Sequence, residues 1–209
     1  MLSEDVRDDA GVAEIDATKP PRPTETLDVL ALCADATDRL LDALERLDDN
    51  EVRWSWWSAD QTVGFTRRMQ TFEATMHRID AEITAGVASN PMAPGVAAGA
   101  VDHAVDVMWG WMPEWATYER SALVDARATD TADHWLIEVG RWFGTGPESG
   151  NEFDEPRAVR VSTGDADIHV SATVEQLARW AWTRGRVVEV DGDGSGQRAL
   201  DALISAGMQ

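Results

Sequence analysis

The apolar residues Phe65, Met69, Phe72, Met76, Ile79 and Ile83 recur at spacings of 4, 3, 4, 3 and 4. At about 100° per residue they form one continuous seam along a helix, so the chain must find something apolar to lay against it. Ser58 offers an N-cap for this helix and Gly86 a stop. A second row, Thr66, Gln70, Glu73, His77, Asp80 and Thr84, runs beside the seam rather than opposite it, on the flank where a neighbouring helix would close over a polar pocket. Within that row Glu73 and His77 stand one turn apart, which stacks a carboxylate over an imidazole, near enough to grip a single divalent cation. The same spacing also suits an ordinary ion pair on a solvated helix edge, and it does not separate the two readings.

The rest of the chain sorts by period. Residues 1–23 mix Asp, Glu, Gly and Pro with few large apolar side chains, a composition expected of a mobile leader. A helix is expected over 25–48, with Leu30, Leu40, Leu44 and Leu47 on one face. Trp54, Trp56 and Trp57 fall in the next connection, where they read as packing aromatics before they read as the wall of a ligand pocket. A third helix is expected over 97–115, ended or kinked by Pro113. It carries His103 and Asp106, a hydrogen-bonded histidine or a further ligand. From residue 122 the period shifts towards two, with strands expected over 122–129, 134–143, 157–163, 166–171 and 186–190. Thr173 and Gln176 form a capping box opening a helix, and a last helix is expected over 197–206. The Gly192 to Gly196 loop lacks a phosphate-binding lysine and reads as a plain turn. The fold class is therefore α+β: a helical domain over 24–118 and a small α+β domain over 119–209.

Charge narrows the partners. A net charge of −20 repels phosphate backbones and anionic lipid, so neither nucleic acid nor a membrane surface is an expected partner. No apolar run reaches the roughly 18 residues that span a bilayer, and no signal-peptide pattern opens the chain, which favours the cytoplasm. Cys33 is the single cysteine. Its place in the helical pattern suits a small core residue better than a reactive thiol.

Arg53-Trp54-Ser55-Trp56-Trp57, then Thr62-Val63-Gly64-Phe65-Thr66-Arg67-Arg68, and above all Glu73-Ala74-Thr75-Met76-His77-Arg78-Ile79-Asp80-Ala81-Glu82 resemble the mycothiol-dependent maleylpyruvate isomerase family, a branch of the DinB-like metal-binding four-helix bundles. Weaker similarity continues at Ala128-Thr129-Asp130-Thr131 with Trp135, and at Leu177 to Gly185, so that the resemblance covers about residues 25 to 205. It implies an incomplete DinB-like bundle followed by a small domain of sterol-carrier-like shape.

The resemblance also implies chemistry: cis–trans isomerisation of maleylpyruvate, with mycothiol as the attacking low-molecular-weight thiol and a divalent metal, zinc, lowering the thiol pKa. Thiolate addition would leave a single bond free to rotate, and elimination would restore the alkene. Glu73 and His77 are implied as metal ligands, Asp80 as a partner of that site and Arg78 as part of a structural ion pair. For clasping the carboxylate of a small anionic substrate, Arg184 stands first, Arg186 second and Arg179 third. The chain departs from the family in one respect: two helices that normally come first, the second carrying a third ligand, have no counterpart, and His77 is the first histidine. Two readings follow. One is a metal-assisted, thiol-dependent isomerase or transferase; the other is a non-catalytic, DinB-like interaction or structural protein that pairs with a second copy through an uncovered helix flank.

Overall fold

The computed structural model describes residues 2–192 and 194–207. It is α+β, helical in its N-terminal part and followed by a five-stranded sheet. The chain divides into two compact units, residues 1–71 and 72–209.

In the first unit the segment expected as a mobile leader forms a short helix, α1 (Asp9–Thr18), capped by the Asp8 carboxylate, which accepts from the Gly11 N–H at 2.9 Å. Composition missed it because few anchors suffice. Leu2 and Val6 are buried, the Trp54 N–H donates to the Val6 carbonyl at 2.8 Å, and the Trp54 indole donates to Asp9 at 2.7 Å. Helix α2 (Thr26–Arg46) buries only Ala43 and Leu44, which gather with Leu2 and Val63. Cys33 is exposed on it, contrary to the expected core position, because the inward face of α2 is confined to its C-terminal end.

The connection to the next helix is pinned by Arg53, buried and paired with Asp5 at 2.9 Å and Glu51 at 2.6 Å. Trp56 and Trp57 pack on Phe65 with ring centroids 5.8 and 5.2 Å away. Trp54 and Trp56 also line a cleft of about 500 Å³ with Leu40 and Met69, so these indoles serve both packing and a concavity. Helix α3 (Val63–Ala85) starts later than the Ser58 cap implied. The Thr62 hydroxyl accepts from the Phe65 N–H at 3.1 Å instead. Gly86, at φ +67°, ends it as expected.

The second unit contains the C-terminal half of α3, whose Phe72, Met76 and Ile79 are buried. Helix α4 (Pro94–His103) continues as one wide π-helical stretch, Ala104–Met108, and stops before Pro113. The strands are β1 (Thr117–Ala128), β2 (His134–Thr145), β3 (Glu152–Arg160), β4 (Ile168–Ala172) and β5 (Glu189–Gly192), in the order β3-β2-β1-β4-β5. Among the described residues, only β1 and β4 are parallel neighbours. Side chains alternate, and Val124, Ala126, Trp135, Ile137, Val139, Ile168 and Val170 all enter the core that α4, α5 (Val174–Ala181) and α6 (Gly194–Ala206) help to fill. The capping box at Thr173 and Gln176 forms as the sequence indicates. Helix α6 begins earlier than expected; Asp193, within the expected loop, lies outside the described residues.

Candidate functional site

Glu73, His77 and Asp80 sit on the half of α3 that belongs to the second unit. Burial of Phe72, Met76 and Ile79 fixes that half, and the adjoining row is held at the surface by helical geometry. Glu73 Oε2 lies 3.5 Å from His77 Nε2. The other imidazole nitrogen, Nδ1, lies 3.1 Å from Asp80 Oδ2. One turn of backbone thus brings the carboxylate and imidazole together, and the His77 side chain remains 68% exposed.

The chain then reaches back from far along the sequence. Arg184 donates from Nε to Asp80 Oδ1 at 3.0 Å and from its Nη2 to Asp80 Oδ2 at 2.8 Å, a two-pronged contact in which guanidinium and carboxylate match in shape. The end of α5 aims this arginine. Thr183 takes up a left-handed φ of +62°, its N–H bonds the Trp180 carbonyl at 3.0 Å, and the Arg184 N–H bonds the Arg179 carbonyl at 2.7 Å, a paired helix stop usually built on glycine. The remaining prong, Nη1, donates to the Trp182 carbonyl at 2.6 Å. The Arg184 hydrogen bonds hold the Asp80 carboxyl below its ordinary range; partial burial opposes this, and the His77 contact adds to it. Asp80 is therefore a fixed anion. His77 thus has a carboxylate on each side of its ring, Asp80 at Nδ1 and Glu73 at Nε2.

The other sequence candidates are placed elsewhere. Arg179 bonds Glu175 of its own helix at 2.8 and 2.9 Å, and Arg186 is exposed in the following loop. Arg78 pairs with Glu82 at 2.6 Å and bonds the Asn90 carbonyl at 3.2 Å, a tie between α3 and the segment leading into α4. His103 is buried, stacked on Trp182 with centroids 5.9 Å apart and near Phe72, while Asp106 pairs with Arg160 at 2.7 Å.

Sequence reasoning missed the contact between Asp80 and Arg184. Nothing in the local spacing signals it, because the two residues are joined only by the fold. Among the described residues no cluster of three or more His, Cys, Asp or Glu side chains is arranged to hold a metal. Glu73 and His77 together offer two donor groups, where zinc sites use three or four from protein.

Comparison with known proteins gives one family match: the model of the mycothiol maleylpyruvate isomerase N-terminal domain, over residues 3–82. No curated protein and no solved structure matches. The matched span closes just beyond Glu73, His77 and Asp80.

Proposed function

With residues 3–82 belonging to the mycothiol maleylpyruvate isomerase N-terminal domain family, we propose that the chain is a mycothiol-dependent, metal-assisted cis–trans isomerase or thiol transferase acting on a small anionic substrate. The observation that carries this reading is the facing of Glu73 and His77 across 3.5 Å, with His77 held from behind by Asp80. Glu73 and His77 would supply two donors to a divalent cation, zinc by donor type, and a bound cation of this kind lowers the pKa of a thiol.

The chain's own residues prepare that position. Asp80 orients the imidazole, and Arg184 orients Asp80. Arg184 has all three nitrogens engaged in the protein, so it acts through Asp80 as a positioning residue. To clasp a substrate carboxylate directly it would have to give up Asp80. Burying none of these groups completely keeps the position open to a small molecule.

The decisive assay follows isomerisation of maleylpyruvate in the presence of mycothiol and zinc, with Glu73→Gln and His77→Ala beside the unaltered chain. Loss of at least about a hundredfold in rate in both variants is expected, the scale seen when a metal site loses its ligands or their supports. Equal activity in all three would contradict the reading. The two-donor set favours one other reading, a non-catalytic scaffold, and no turnover together with no zinc uptake by the unaltered chain would select it.

A further inference from the structure

Trp54 and Trp56 stand in the wall of the cleft of about 500 Å³ in the first unit, and Trp56 is 49% exposed. A concavity of that order holds a small organic molecule. Its lining decides which kind.

The aromatic wall is held in place before any ligand arrives. The Trp54 indole N–H donates to Asp9 at 2.7 Å, and the Trp56 indole N–H donates to the Met69 sulfur at 2.8 Å. Each ring is thus fixed by its one polar atom. Trp56 is also set edge-on to Phe65, with centroids 5.8 Å apart and planes at 70°. The two indoles, with Met69 and Leu40 beside them, therefore offer flat apolar surface at little further cost in ordering. Fixed planes of this kind favour a ring over a flexible chain, because ring against ring gains beyond the buried area alone and a ring has no internal rotations to lose.

The charge of the lining runs against that of the chain. Acidic side chains outnumber basic ones 38 to 18 overall, yet among the described residues the cleft is lined by Lys19 and Arg39 against one acid, Glu4. The local sign therefore favours an anion, and the surrounding excess of acid discourages its binding elsewhere. Arg39 is the group best placed to take it. Its own partner, Asp35, lies 3.4 Å away with both side chains largely exposed, a contact that contributes little in water. Lys19 is held more closely by Asp16, at 2.5 Å. A guanidinium also meets a carboxylate with two matched prongs.

We propose that this cleft is a binding site for an aromatic carboxylate, with the ring against Trp54 and Trp56 and the carboxylate on Arg39. A neutral ring leaves the two cations unmatched, and an organic cation meets them as like charges. Few polar contacts are on offer, so a dissociation constant of about 0.1–1 mM is expected for a two-ring acid. The inference does not rest on the proposed catalytic reading, since none of Glu73, His77, Asp80 and Arg184 lines the cleft.

Calorimetric titration of the full chain with naphthoate tests it, beside naphthalenemethanol as the uncharged ring and octanoate as the anion without a ring. Naphthoate binds once per chain and at least about threefold more tightly than either. Arg39→Gln weakens naphthoate by about threefold to fivefold and leaves naphthalenemethanol unchanged. Trp56→Leu, which keeps an apolar side chain but removes the ring, weakens naphthoate by about fivefold or more. Arg46→Gln takes the same charge from the same helix outside the cleft and changes binding by less than about twofold. Circular dichroism checks that each variant remains folded. No naphthoate binding up to about 5 mM, equally tight binding of the alcohol or of octanoate, full affinity in Arg39→Gln or Trp56→Leu, or an equal loss in Arg46→Gln each overturns the proposal.

Discussion

In the second unit, Ile79, Val124, Ile168, Leu177 and Leu203 meet in one core built from the sheet and from helices before and after it. Among the described residues of the first unit a smaller cluster of Leu2, Ala43, Leu44 and Val63 gathers, with Leu40 and Leu47 packed against it, while Leu27, Leu30 and Leu41 of the same α2 stay in water. Since each square ångström of apolar surface removed from water contributes about 25 cal/mol, the second unit carries its own stability. The first relies on its helix cap, its small apolar cluster and the buried Arg53 pairs. Apolar burial is thus concentrated in the second unit, while the first leaves leucines of α2 in water.

The contrast breaks most readily at the core. Ile168→Ala, at a fully buried site where β4 meets the helices, is expected to cost about 2–5 kcal/mol in urea unfolding followed by tryptophan fluorescence. A cost below about 1 kcal/mol would mean that the second unit is not closed on itself. Next comes the cap of α5. Thr173→Ala removes the hydroxyl that accepts from the Gln176 N–H and is expected to cost about 1 kcal/mol.

Smaller still is the brace. Arg184→Ala is expected to change stability by less than about 1 kcal/mol, because Asp80 remains partly hydrated. The Asp80 carboxyl titrates below its ordinary 3.8 in the folded chain, so its contribution is complete above that value and is lost as pH falls through the folded pKa. The difference between Asp80→Asn and the unaltered chain should therefore shrink as pH falls below about 4 in acid unfolding. A gap that widens below about pH 4 would reverse the assignment. The smallest effect is expected at Leu30→Ala in dilute solution, within about 0.5 kcal/mol, as for a surface position. A larger loss in the monomer would show that α2 is covered from within the chain.

Legibility in the sequence followed the range of the interactions. The α3 seam, its glycine stop and the α5 capping box are local, and each stands where periodicity and caps placed it, while the change of period comes earlier than expected, with β1 starting at Thr117 rather than 122. The pair Glu73 and His77 is equally local, one helical turn. What escaped depends on distant contacts or single anchors. Helix α1 rests on Leu2, Val6 and the hydrogen bonds of Trp54. The exposure of Cys33 reflects which end of α2 finds partners. The role of Arg184 turns on a contact across 104 positions, aimed by a threonine in a left-handed conformation that local composition assigns to glycine.

The account stands on His77 presenting Nε2 towards Glu73 as a donor pair for a cation. Calorimetric titration of zinc into the full chain, beside His77→Gln and Asp80→Asn, reads this directly. One zinc per chain is expected, with affinity reduced at least about tenfold by His77→Gln and several-fold by Asp80→Asn. Zinc binding that is absent, or unchanged by His77→Gln, would contradict it.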